Sequence, residues 1–141
     1  MPYPIHRRER DGVVILAPQG KLVLGEPNEA LRAAFTELTD AGQFRIVLDL
    51  SDVPYIDSSG LGCLVMAHTR VENAGGVMPI FGLQPRHMEL LVITKLSTVF
   101  RLADNEVDAV NLCFPDRQAH TFDVLSFVEE QRQREKGGGG A

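Results

Sequence analysis

The sequence has two cysteines, Cys63 and Cys113, and no C-x-x-C pair. Without closely spaced thiols, a zinc ribbon or a thioredoxin-like redox motif is excluded. Cys63 stands among apolar residues and reads as a small hydrophobe in a reducing, cytosolic setting. Basic charge is also scarce: 14 Lys and Arg stand against 19 Asp and Glu, a formal net charge of -5. A nucleic-acid binder needs a basic footprint to displace counterions, and charge-driven docking on anionic lipid needs the same. The one local basic run, His6-Arg7-Arg8, is offset by Glu9 and Asp11 and reads as a solvated strand end. No apolar run approaches the roughly 20 residues of a membrane-spanning helix. The opening Met1-Pro2-Tyr3-Pro4 lacks the basic-then-apolar layout of a signal peptide, so a cytoplasmic location is expected.

Catalytic signatures are missing as well. There is no G-x-S-x-G nucleophile elbow. His6, His68, His87 and His120 are scattered, and none pairs recognisably with a serine. His68 is expected to be a partly buried helix residue and His87 to lie on a helix surface. Gly60-Leu61-Gly62 lacks the third glycine of a dinucleotide fingerprint, since Val65 stands there. Asp49, Asp52 and Asp57 fall on a strand, a turn and a helix start, and are expected to diverge rather than to hold a metal. Asp49 is expected to contact turn amides. No cofactor, metal or enzymatic activity is expected, and there are no internal repeats.

What is present fits a single α/β domain. Of 141 residues, 44% are apolar and 23% charged, enough for a core and a solvated surface. Asp11-Gly12, between Ile5–Arg10 and Val13–Ala17, predicts an antiparallel hairpin. Gly20 to Gly25 reads as a turn. Pro27 then opens a helix carrying Ala30, Leu31, Ala34, Phe35 and Leu38 at helical spacing, with Gly42 as a left-handed cap. Ile46–Leu50 is a nearly continuous apolar run and predicts a buried central strand. Ser58 opens a second helix with Leu61, Leu64, Val65, His68 and either Val71 or Glu72 on its repeating face, stopped by Gly75-Gly76. Val77–Phe81 predicts a strand, Pro85 a third helix with Met88, Leu91 and Val92 on one side, Val99-Phe100 a short edge strand, and Asn105–Cys113 a last core helix. The alternation predicts a mixed central sheet with an N-terminal antiparallel hairpin and about four helices, in a domain over 1–114. Residues 115–141 read as an appendage. Phe122, Leu125 and Val128, with the polar Glu129–Lys136, outline an amphipathic helix ahead of a flexible Gly137–Gly140 tail. That helix is either a partner or dimer contact or a helix packed on its own domain.

The chemically informative stretch runs from Val47 to Gly62. It places two hydroxyls, Ser58 and Ser59, at the start of a helix directly after a buried strand. Helix N-termini carry free N–H groups and the positive end of the dipole, and so favour an anion such as phosphate. Asp57 suits the N-cap, and Gly60 and Gly62 allow close approach of another backbone or side chain.

Val53-Pro54-Tyr55-Ile56-Asp57-Ser58-Ser59-Gly60-Leu61-Gly62 resembles the signature of the STAS family, named for sulfate transporters and anti-sigma factor antagonists. Ala74-Gly75-Gly76 and Leu91–Phe100 resemble its soluble bacterial antagonists, and the similarity runs from about Arg10 to Phe114. The resemblance implies the STAS fold, and phosphorylation at Ser58, the serine directly after the aspartate. It implies as partners an anti-sigma factor serine kinase with a histidine-kinase-like ATPase fold and a resetting serine phosphatase. The expected partner surface comprises Asp57, Ser58, Ser59, Gly60, Leu61 and Gly62 with Leu24 and Gly25 of the neighbouring turn. Many phosphorylated antagonists carry an aspartate shortly after the glycine matching Gly20; here Leu22-Val23-Leu24-Gly25-Glu26 stands instead, with Glu26 the nearby acid. The competing expectation is a STAS scaffold or accessory subunit of a stressosome-like or transporter complex, without phosphate control.

Overall fold

The computed structural model describes residues 3–117 and 121–139; His120 and Gly140 lie outside them. Five strands form one sheet: β1 (Ile5–Arg10), β2 (Val13–Pro18), β3 (Ile46–Asp49), β4 (Pro79–Phe81) and β5 (Arg101–Leu102). Their order across the sheet equals their order in the chain. β1 and β2 are antiparallel, joined by Asp11 and Gly12 with φ of 55° and 79°. Two successive positive φ values match the twist of a two-residue hairpin, which is why Asp-Gly occupies it. β2, β3, β4 and β5 pair in parallel.

Helices α1 (Glu26–Asp40), α2 (Ser58–Asn73) and α3 (Pro85–Ile93) connect the parallel strands. They share the main core with Val14, Leu16, Leu48 and Ile80. α4 (Glu106–Leu112) lies over a smaller cluster that includes Val13, Ile15, Val47 and Phe81. With both faces covered, β2 is buried along its whole length, and the run Val13–Pro18 shows no polar alternation. Arg8 and Arg10 of β1 pair with Glu106, and Arg8 also reaches Asp49 Oδ2 at 3.2 Å, tying α4 to the sheet. Asp49 accepts from the Ser51 amide at 3.0 Å, the turn contact expected of it.

The edge strand differs from expectation. Phe100 turns inward, 5% exposed and edge-on to His68, and pairing with β4 begins only at Arg101. β5 is therefore Arg101–Leu102, not Val99-Phe100. β4 starts at Pro79, with Val77 forming an isolated bridge to Arg45. A fifth helix, α5 (Val124–Gly139), packs on α3. Val124 and Val128, one turn apart, are buried in the main core.

Candidate functional site

α2 begins where the chain leaves the turn after β3. Asp57 is its N-cap, with extended backbone and Oδ1 accepting from the Gly60 amide at 2.7 Å. Its Oδ2 accepts from the Leu24 amide at 3.2 Å. The Ser59 hydroxyl first, and the Gly60 amide next, hold the Asp57 carboxyl below the usual carboxylate range. One side chain thus caps a helix and anchors a loop.

The Gly20–Gly25 segment is stitched to the same place through its backbone. Gly20 donates to Asp52 O at 3.0 Å, Leu22 donates to Tyr55 O at 2.9 Å, and Asp57 donates to Leu22 O at 3.2 Å. Leu22 and Ile56 form an isolated parallel bridge. A Cβ at residue 60 would collide with the Leu22 carbonyl, so only glycine permits this contact. Gly25, at φ 104°, caps α1 in a conformation that other residues rarely adopt.

These constraints leave a defined outer surface. Ser58 is exposed, and its hydroxyl makes no hydrogen bond to the described residues. Ser59, beside it, is half-buried and engaged: its Oγ accepts from Asn28 Nδ2 at 2.8 Å and donates to Asp57 Oδ1 at 2.6 Å. Gly62 lies one turn beyond Ser58, exposed, with no atom within 4 Å of where a Cβ would stand. Met66, a further turn on, is 66% exposed, and Leu24 across the seam is 78% exposed. Ser58, Gly62 and Met66 form an i, i+4 stripe along α2. Gly60 and Leu61 are buried and support this surface from beneath. Below Met66, a groove of about 180 Å³ between α1 and α2 has an apolar floor of Phe35, Cys63 and Ala67. Burial pushes the Cys63 thiol up, in keeping with its role as a small hydrophobe.

Two features escape sequence reasoning. Met66 lies on the exposed stripe, and the spacing 58, 62, 66 was a signal that could have found it. Asn28 carried no such signal, because its contact with Ser59 spans two helices. One expectation is corrected: His87 is not on a helix surface but 2% exposed. It sits among Leu50, Ile56, Leu61, Leu64 and Leu91 between α2 and α3. Its Nδ1 accepts from the Gln84 amide at 3.3 Å, closing the N-terminus of α3 from within. That inward bond draws the ring into the core.

The sequence model of the STAS domain matches residues 4–109. The chain belongs to the STAS domain family. The anti-sigma F factor antagonist of Paenibacillus polymyxa is 29% identical over 111 residues, spanning 78% of this chain and 94% of that one. The crystal structure of TM1081 from Thermotoga maritima superposes with a TM-score of 0.71 at 28% identity, covering 79% of this chain and 93% of the other. SpoIIAA of Bacillus in its phosphorylated form gives a TM-score of 0.61 at 18% identity, over 77% and 98% of the two chains, and attests the fold alone. The STAS match takes in the whole sheet, α1, α2 and α3 and closes within α4, so α5 lies beyond it. Within this STAS domain the stripe on α2 and the Leu24 loop form one continuous candidate site. No helix among the described residues is long and apolar enough to cross a membrane.

Proposed function

We propose that this STAS domain is a cytoplasmic, non-enzymatic anti-sigma factor antagonist, released from its partner by phosphorylation of Ser58. The observation that carries the reading is the contrast at the start of α2: an exposed, unengaged Ser58 hydroxyl beside a Gly62 that internal packing does not require. Glycine on the exposed face of a helix costs about 1 kcal/mol relative to alanine. A partner surface approaching closely at that point offsets the cost. The name of one relative supports the same partner class: an anti-sigma F factor antagonist.

A phosphate on Ser58 adds about -1.5 to -2 charges at pH 7. The helix N-terminus tolerates that anion within the domain, so the fold is kept. At a docked interface the same charge stands beside Asp57 and must be desolvated. A coupling of about 1–3 kcal/mol weakens the complex roughly 5- to 150-fold. In this reading the anti-sigma factor is itself the serine kinase, with a histidine-kinase-like ATPase fold, and a serine phosphatase restores the binding form.

The test is phosphopeptide mapping of the chain from growing and stressed cells of its native host. Phosphate on Ser58 that changes between the two conditions is the expected result. Its absence at full peptide coverage overturns the switch and favours a constitutive scaffold or transporter-complex subunit.

A further inference from the structure

Two serine hydroxyls stand side by side at the start of α2, and the structure treats them differently. Ser59 Oγ accepts from Asn28 Nδ2 at 2.8 Å and donates to Asp57 Oδ1 at 2.6 Å. Ser58 Oγ has no partner among the described residues. Asn28 reaches across from the first turn of α1, is 5% exposed, and leaves its Oδ1 without a hydrogen-bond partner. A buried amide satisfied at only one end carries a desolvation cost that an apolar side chain at this helix position would not. The stability of α1 therefore does not account for Asn28, whereas its bond to Ser59 gives the side chain a use.

We infer that Asn28 is a positioning residue that restricts phosphorylation to Ser58 by occupying the Ser59 hydroxyl. This rests on the reading of Ser58 as phosphoacceptor. In phosphoryl transfer from ATP, a serine Oγ lone pair attacks the γ-phosphorus. The new P–O bond forms as the bond to ADP breaks, and the hydroxyl proton passes to a base of the kinase. Ser59 is hindered on both counts: one of its two Oγ lone pairs and its proton are already engaged. The Asn28 N–H takes up a lone pair of Oγ, and the proton points at Asp57, which is already committed to the Gly60 and Leu24 amides. The Ser59 hydroxyl is also turned toward α1 instead of outward. Ser58 has its lone pairs, its proton and its access to solvent free. The choice between adjacent serines is thus made inside the antagonist, and does not depend on the kinase discriminating a one-residue shift.

Asn28→Ala removes the N–H donor and leaves a good helix former in α1. Two measurements on the full chain test the inference. In low-temperature NMR spectra, the Asn28 side-chain amide protons are expected to be protected from exchange in the wild type and to lose that protection in S59A; unchanged protection in S59A overturns the inference. In the native host, the chain is mapped for phosphate as wild type, S58A and S58A/N28A. The expected pattern is phosphate on Ser58 alone in the wild type, none in S58A, and phosphate on Ser59 in the double variant. Phosphate on Ser59 already in S58A overturns the inference. So does a double variant left unmodified while the wild type carries phosphate on Ser58. A wild type without phosphate overturns the phosphoacceptor reading and removes the selection with it, an outcome separate from the other two.

Discussion

The carbonyl oxygen of Leu22 occupies the space where a side chain on residue 60 would begin, so the β2–α1 loop and the first turn of α2 meet backbone to backbone. Gly60→Ala forces the two apart. Overpacking of this kind costs about 1–3 kcal/mol, read as a lower urea midpoint with unchanged slope. The Leu24 amide is expected to lose protection from hydrogen exchange in the same variant, because its acceptor is Asp57 at the displaced helix start.

Gly62→Ala is expected to act in the opposite sense. No atom lies within 4 Å of the added carbon, so α2 gains roughly 1 kcal/mol of helix propensity and Tm rises by a few degrees. Binding to the anti-sigma factor weakens in the same variant. A titration showing unchanged affinity would remove Gly62 from the interface.

Ser58→Ala retains the binding form, and Ser58→Asp weakens the complex toward the lower end of the roughly 5- to 150-fold range, since one charge mimics a phosphate incompletely. Thermal unfolding of both variants should match the wild type, because Ser58 has no internal contact to lose. Isothermal titration against the partner separates the two.

Acid should destabilise the domain in two stages. Burial, and then the Arg86 charge, push His87 below its ordinary value, against a smaller opposing pull from the Pro54 backbone. The unfolded chain therefore binds a proton, with a pKa near 6.5, before the folded one does. Stability is complete above that value and falls as pH drops from about 7 toward the folded pKa, at no more than about 1.4 kcal/mol per pH unit. His87→Leu should flatten this stage. The second stage belongs to Glu106, held low first by the side-chain bond from Arg8, and to Asp57, held low first by Ser59. Their contribution is present above pH of about 4 and is lost as pH falls through the folded values. Denaturation midpoints measured from pH 3 to 8 resolve both.

Val128 joins α5 to the main core. Val128→Ala removes two buried methyl groups and is expected to cost about 1.5 kcal/mol. If α5 stood off the domain as a free arm, the same change would leave the unfolding transition where it was.

Much of this architecture was legible in the sequence because local chemistry and long-range packing agree. Asp11-Gly12 demands positive φ at two successive residues, and Gly42 demands it once more after α1. The run Val13–Pro18 is apolar throughout because helices cover both faces of the sheet. Asp57 reads as an N-cap from its place before Ser58 and serves as one. The misreadings arise where tertiary contacts decide. Phe100 looks like a strand residue, yet its side chain is claimed by His68 and the core, which shifts the ladder to Arg101. His87 looks polar and hence external, yet its ring closes the α3 terminus from inside. The Asn28–Ser59 bond joins residues 31 apart in sequence and has no local signature.

The bridge between Leu22 and Ile56 gives the domain a character that its sheet and helices alone would not. Loop, turn and helix start are fastened into a single plate that carries Ser58 and the Leu24 surface together. Under the proposed switch, a domain built this way works as a token and not as a lever, since what changes is the charge at one fixed point. In that scheme a threshold in the output arises from the competing rates at which the mark is written and erased, or from the ratio of tokens to readers.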